Sequence, residues 1–286
     1  MSARLRVERT GALATVQDLG RPGHAHLGVG RSGAADRASL RLANRLVGNA
    51  EGAAGIEVVL GGFAVRTDHP LLVALAGAPC PVRVLRRSRG MYGPVQLAEG
   101  DRLELGSPTA GLRTYLAVRG GVEVLPVLGS RSTDTMSGLG PDPLSEGDAL
   151  PVGDEHGAVP GVDLAPQPEL PDELVLRVRV GPRDDWFADG EVERLCRTAW
   201  QVSSDTDRVG IRLAGESLRR RGDDELKSEA MVRGAIQVPR GGQPIIFSAD
   251  HPVTGGYPVI GVVTPADTDR ASQARPGQAV RFRPVG

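Results

Sequence analysis

The stretch "GVGRSGAADRASLRLANRLVGN", Gly28 to Asn49, holds glycines at 28, 30 and 33 in the spacing G-x-G-x-x-G, ahead of a helical pattern. Whether it is a dinucleotide-binding turn decides the fold class. Such a turn has to follow an apolar strand and open the helix of a βαβ unit, so that a pyrophosphate meets the N–H groups at the helix start. The residues ahead of it here are "RPGHAHL", Arg21 to Leu27, which is no such strand. The rest of the chain supplies no βαβ alternation either. Its 39 glycines and 22 prolines punctuate short apolar and β-branched runs such as "LLVALAG", "TYLAVRGG", "LVLRVRVG" and "YPVIGVV". The class is therefore mainly β with minor helices. One helix is expected where Leu40, Ala43 and Val47 share a face, with Asp36 as N-cap and Gly48 past the end. A second is expected from Asp184 or Asp185 to about Trp200. On this reading the three glycines let a loop turn sharply before a short helix.

The chain also resembles itself. "DRASLRLAN" from Asp36 is echoed by "DRVGIRLAG" from Asp207, and "IEVVLGG" from Ile56 by "IQVPRGG" from Ile236. Asp-His-Pro occurs at Asp68 and again at Asp250, and "QLAEGDRLEL" from Gln96 is similar to "QARPGQAVRF" from Gln273. Four matches in one order point to two β-rich domains of related architecture. The proline-rich segment "AVPGVDLAPQPELPDE" is the natural joint, giving domains at 1–165 and 170–286.

Composition excludes several function classes. The 286 residues are 40% hydrophobic and 24% charged with a net charge of −1, so no broad electrostatic attraction to nucleic acid or an anionic membrane exists. No apolar run approaches the roughly 18 residues of a membrane-spanning helix, and the N-terminus shows no apolar leader, so a cytoplasmic location is expected. Cys80 and Cys196 are too few for a disulfide framework and read as buried thiols. Lys227 is the only lysine, and its "DELKSE" setting is neither a P-loop nor a biotin-carrier context. Any ATP or biotin chemistry therefore calls for another chain.

Three polar clusters remain. "SADHPVTGGYPVIG", Ser248 to Gly261, combines Asp250 and Tyr257 with Gly255 and Gly256, whose N–H groups can be turned toward an anion. The same segment also reads as a tight loop with Asp250 fixing the turn, which the second Asp-His-Pro favours for that tripeptide. "TVQDLGRPGHAHLGVGRSGAADR" crowds Gln17, Asp18 and Arg21 into a glycine-rich loop, where an arginine fork can meet a carboxylate or simply pair with Asp18. His24 and His26 share a face if that loop is extended, but no third ligand is near and no metal is expected. "SSDTDRVGIRL" groups Asp205, Asp207, Arg208 and Arg212, suited to acid–base work or to an ion-pair network. Gln237 lies on an expected strand and can face a cleft. Ser130 lacks the G-x-S-x-G elbow of a serine hydrolase.

These motifs, taken in order from Val16 to Phe282, resemble the allophanate hydrolase subunit 2 family, also called the biotin-dependent carboxyltransferase-like or Kip antagonist family. "TVQDLGRPG", "SGAAD", "LANRLVGN", "SDTDRVGIRLAG", "GAIQVPRGGQPI", "DHPVTGGYP" and "PGQAVRF" carry the resemblance. It implies two tandem cyclophilin-like β-barrel domains. It implies a subunit of a multi-subunit ATP-dependent amidohydrolase, foremost a 5-oxoprolinase opening 5-oxoproline to glutamate. The partners implied are a Kip inhibitor-like subunit 1 and a LamB-type third subunit, with ATP shared with a partner and biotin only in trans. The alternatives are a carboxyltransferase-like or allophanate hydrolase subunit, and a non-enzymatic Kip antagonist that binds a kinase inhibitor. Carried over residue by residue, Asp36, Asp250 and Tyr257 are expected in catalysis. Gln17, Asp18, Arg21, Ser32, Arg208, Arg212, Gln237, Thr254, Gly255 and Gly256 are expected to bind substrate. Ala35, Val209 and His251-Pro252-Val253 depart from the family pattern.

Overall fold

A computed structural model describes residues 3–222 and 224–286. The chain divides into two compact units. One takes the chain through Arg21, then Ser32–Asp134 and Gly138–Leu170; the other takes Pro22–Arg31, Thr135–Ser137 and Pro171–Gly286. The main division thus falls inside the proline-rich segment, while the two short excursions carry no signal in composition.

The first unit is two antiparallel sheets. One orders its strands Ala149–Pro151, Arg4–Thr10, Phe63–Thr67, Arg102–Leu105, Val82–Val84 and Arg87–Arg89. The other orders Leu13–Gln17, Gly55–Val59, Arg113–Val118, Leu71–Gly77 and Pro94–Leu97. Alternating residues from both, among them Leu5, Val7, Val16, Ile56, Val73, Leu75, Leu103 and Leu116, form one fully buried cluster, as expected of strands that share a core face. Helix α1 (Arg37–Leu46) lays Leu40, Ala43 and Leu46 with Val47 against Ala74, Ala76 and Ala117, whose small side chains let it approach closely.

The second unit closes as a barrel. Its order is Glu173–Val180, Val259–Val263, Ala235–Gln237, Ile245–Phe247, Gly210–Ala214, Trp200–Val202 and Ala279–Pro284, with a parallel pairing of the last strand to the first, Leu176 opposite Phe282, completing the circle. Leu174, Leu176, Val178, Ile211, Leu213, Val280 and Phe282 point inward around the buried Trp200. Closure removes the open sheet edge that a flat sheet would expose. A separate short ladder pairs Glu229–Ala230 with Thr254–Gly255.

The mainly-β expectation is met, with three α-helices among the described residues. The opening stretch is no nucleotide turn. A 3-10 turn, Ala25–Leu27, precedes it instead of a strand, and Gly33 is there because a Cβ would meet Gly20 N at 2.7 Å. The N-terminus of α1 is capped by Asp36, whose carboxylate accepts from Ser39 N at 3.0 Å. The 3-10 turn also replaces the extended geometry under which His24 and His26 would share a face. The second expected helix is shorter than its span. A 3-10 turn, Asp184–Trp186, is followed by Gly190 at φ 83, then by α2 (Glu191–Arg197), and Trp200 already belongs to a strand. Helix α3 (Pro265–Ala271) was not anticipated, although Thr264-Pro265 is a regular start signal. Cys80 and Cys196 are free and only partly buried, and burial pushes both thiols up.

The internal repeat holds only in part. Ile56 and Ile236 both sit in strands. "DRASLRLAN" is α1, however, whereas "DRVGIRLAG" is an Asp207-capped turn running into the strand Gly210–Ala214. The two Asp-His-Pro copies differ as well. Asp68 is half exposed beside His69, while Asp250 is buried.

Candidate functional site

In the first unit the expected residues form two neighbouring knots. Asp18 Oδ1 accepts from Gly20 N at 2.7 Å, Ser130 Oγ at 2.7 Å and Ser132 Oγ at 2.6 Å, and its Oδ2 accepts from Arg131 N at 2.7 Å. Four donors on one carboxylate make it the fastener of the 130–132 segment. Arg21, fully buried, donates Nη2 to Ser132 O and lies 3.9 Å from Asp134 rather than pairing with Asp18. Gln17 Nε2 donates to Thr133 O at 2.9 Å, leaving Gln17 Oε1 and Arg21 Nη1 buried without hydrogen bonds. Ser32, at φ 52, donates to Thr133 O at 3.3 Å.

The second knot surrounds Asp36. Its backbone N–H donates to Tyr115 OH at 2.7 Å, and Ser39 Oγ donates to its Oδ2 at 2.6 Å. Tyr115 OH in turn donates to Glu57 Oε2 at 2.7 Å, which also accepts from Ala35 N at 2.9 Å, and Arg113 lies 3.3 Å from the other oxygen of Glu57. Burial first, then the carboxylates of Glu57 and Asp36, hold the Tyr115 phenol well above its usual range, so it remains a neutral donor. Glu57, Arg113 and Tyr115 escaped the sequence reading, because a charged residue inside the apolar run "GIEVV" was the sole local sign of them.

In the second unit Arg208 grips Asp250 with both ends of its fork, Nε to Oδ2 at 2.8 Å and Nη2 to Oδ1 at 2.9 Å, with both side chains at most 2% exposed. Thr135, also of this unit, donates its N–H and hydroxyl to Oδ2 at 2.9 and 2.8 Å. Asp36 and Asp250, expected as proton carriers, are thus set as a helix cap and as the centre of a buried ion pair.

A different edge of the barrel holds the remaining polar residues. Gln237 Nε2 donates to Tyr257 O at 3.2 Å, and a Cβ on Gly255 would sit 2.6 Å from that nitrogen, so a side chain there would displace the Gln237 carboxamide. Arg183 binds Glu229, Nε to both carboxylate oxygens at 3.0 and 3.1 Å, and Glu229 is the ladder partner of Gly255. An anion nest needs N–H groups converging through alternating αR and αL residues. Neither Gly255 nor Gly256 has positive φ and Gly255 is held in a strand, so the glycines make room instead of cradling an anion. Thr254 is exposed, and Tyr257 is 41% exposed with no hydrogen bond to its hydroxyl among the described residues. The edge therefore offers a phenol donor, a carboxamide and a paired carboxylate. Arg212 stands apart, on the outer face of its strand, in a groove of about 430 Å³ with Asp205, Pro239, Gln243 and Pro244. Among the described residues no group of three or more His, Cys, Asp or Glu is placed to hold a metal ion, and no helix is long and apolar enough to cross a membrane.

The two-sheet β unit and the closed β-barrel together belong to a known class of protein, the carboxyltransferase domains. Residues 27–284 match the model of the carboxyltransferase domain, subdomain A and B, and the chain belongs to that family. It is 37% identical to a 5-oxoprolinase subunit of Escherichia coli (strain K12), over 97% of this chain and 90% of that protein. The urea amidolyase of Lachancea kluyveri is 32% identical over 98% of this chain but only 17% of its own length. Among solved structures, TTHA0988 superposes with a TM-score of 0.90 at 36% identity over 99% of this chain, which spans about half (55%) of that one. The K. lactis urea amidolyase superposes with a TM-score of 0.92 at 28% identity, over 100% of this chain and 19% of that one.

Proposed function

We propose that this chain is one subunit of a multi-subunit, ATP-dependent 5-oxoprolinase that opens 5-oxoproline to glutamate. The observation that carries this reading is the near end-to-end likeness to a bacterial 5-oxoprolinase subunit. The partners in this reading are a Kip inhibitor-like subunit 1 and a LamB-type third subunit, and the setting is the cytoplasm.

A lactam resists water because its nitrogen lone pair is delocalised into the carbonyl. ATP, as co-substrate, activates the lactam oxygen by phosphorylation with release of ADP. A first water adds at that carbon and the ring C–N bond breaks to give an acyl phosphate and a free amine. A second water then displaces phosphate to leave glutamate. The chain's own part is to hold the lactam. Tyr257 donates to the oxygen that gains charge, Gln237 orients the amide edge, and Thr254 closes the side of the site. Asp250 acts in this reading by fixing the segment that leads to Thr254, and Asp36 by capping α1 in the first unit. Arg208 holds Asp250, Gln17, Asp18, Arg21 and Ser32 order the 130–133 segment of the first unit, and Arg212 lies in its own groove. The lone lysine, Lys227, forms no P-loop, which favours a nucleotide shared with a partner.

The test is 5-oxoproline-dependent release of ADP and glutamate by this chain alone and together with the other two subunits. Activity in the full mixture only is the expected result. A stable complex without that activity would sink the reading and favour carboxyl transfer, the alternative that the likeness to urea amidolyase supports.

A further inference from the structure

The second unit bears a groove of about 650 Å³ that plays no part in the site above. Arg219, Arg220, Arg221 and Arg240 line it together with Gly222 and Gly241, and no acidic side chain is among its described lining residues. Three of the arginines have carboxylates beyond the rim. Arg219 reaches Glu191 at 3.3 Å, Arg221 reaches Asp189 at 2.7 Å and Arg240 reaches Glu225 at 2.6 Å. Two of these pairs, Arg221–Asp189 and Arg240–Glu225, are more than half exposed on both sides and so hold weakly enough in water to be exchanged for a better anion, whereas the carboxylate of Glu191 is buried.

Arg220 is held differently. Its guanidinium stacks 5.7 Å over the Trp186 ring, its Nη2 donates to Asp224 O at 2.7 Å, and its Nε is buried without a hydrogen bond. Among the described residues no carboxylate pairs with it, and its guanidinium lines the groove.

Two glycines add an independent observation. Gly222 and Gly241 have ordinary φ, and among the described residues nothing lies within 4 Å of where a Cβ would stand. The fold therefore makes no steric demand for glycine at either position. What a side chain there would do is fill the groove. Four guanidiniums, with fork geometry matched to phosphate oxygens, exceed what a single carboxylate can engage.

We propose that this groove binds the phosphate chain of a small di- or triphosphate. The proposal rests on the groove alone and not on the 5-oxoprolinase reading, because it is tested by binding to this chain without partners. The phosphate chain is the shared chemistry of a free polyphosphate and a nucleotide, and the two sources are compared directly.

The experiment is calorimetric titration of the full chain with sodium tripolyphosphate, and separately with a nucleoside triphosphate, at near-physiological salt. Saturable binding to one site is expected. Equal affinities show that only the phosphates are seated; tighter nucleotide binding adds a contact in the adjoining recess beside Trp186. Arg220→Gln and Gly241→Val are each expected to weaken binding about tenfold or more, while Arg281→Gln, an exposed arginine outside the groove, leaves it unchanged. A Cβ at Gly241 has no described atom within 4 Å, so Gly241→Val keeps the test decisive should Arg220→Gln disturb packing on Trp186. Absence of saturable heat, affinity unmoved by Gly241→Val, or an equal fall with Arg281→Gln would overturn the proposal.

Discussion

Asp250 shows how little a residue's neighbours in sequence reveal about its work. Asp68 stands in the same Asp-His-Pro tripeptide, yet it pairs with His69 at the surface, while Asp250 is locked to Arg208 and Thr135 at 1% exposure. The partners that make the difference lie 42 and 115 positions away, so no local pattern could announce them. Removing one half of such a buried pair strands the other charge. Asp250→Ala is accordingly expected to destabilise the protein by about 3–5 kcal/mol in urea unfolding; a loss of activity at unchanged stability would instead restore Asp250 to the chemistry. Tyr257 is the opposite case, an exposed phenol whose hydroxyl no described residue engages. Tyr257→Phe is expected to shift stability by less than about 0.5 kcal/mol and to lower 5-oxoproline-dependent turnover in the assembled enzyme, and full turnover would remove it from the site. Its candidacy was legible because Thr-Gly-Gly-Tyr-Pro has no counterpart after Asp68. The buried Glu57–Arg113–Tyr115 system was not, because single charges in apolar runs announce burial only once their partners are known.

At the scale of elements, hydrophobic period proves a better guide than residue identity. "DRASLRLAN" and "DRVGIRLAG" share Asp, Arg and Arg-Leu-Ala, yet one is α1 and the other a turn and a strand. Leu40, Ala43 and Val47 recur at helical spacing and meet the small residues Ala74, Ala76 and Ala117; Ile211 and Leu213 alternate and enter the barrel. The same logic covers α2, which Gly190 delays, and α3, whose proline start went unread because the segment after it is polar. Helix α3 also places a pH-sensitive tie between elements. Burial pushes the Asp267 carboxyl up, but hydrogen bonds from the Arg177 side chain and backbone, and from Arg270, pull it down to about 2. A carboxyl depressed in the folded state stabilises the fold above its unfolded value of 3.8 and ceases to do so as pH falls toward 2. Asp267→Asn is expected to flatten the loss of stability across that window, as read by unfolding midpoints from pH 5 to pH 2; an unchanged pH profile would place the acid sensitivity elsewhere.

For the molecule as a whole, chain order and spatial grouping disagree. The β-rich character of both halves was legible, because turn residues and β-branched runs are local signals. The assignment of Pro22–Arg31 and Thr135–Ser137 to the second unit was not, since it depends on contacts made far along the chain. A fragment of residues 171–286 would lack both excursions, including the two hydrogen bonds that Thr135 gives Asp250. That fragment is expected to melt well below the full chain when followed by tryptophan fluorescence, a clean probe because Trp186 and Trp200 both lie within it; equal midpoints would show the excursions to be dispensable. The interleaving also bears on how genes can rearrange this protein. A recombination joint at the proline-rich segment would look harmless on the sequence, yet it would part residue pairs on which Asp250 depends. The match to nearly its whole length inside the much longer Lachancea kluyveri polypeptide is the kind of inheritance that this threading permits.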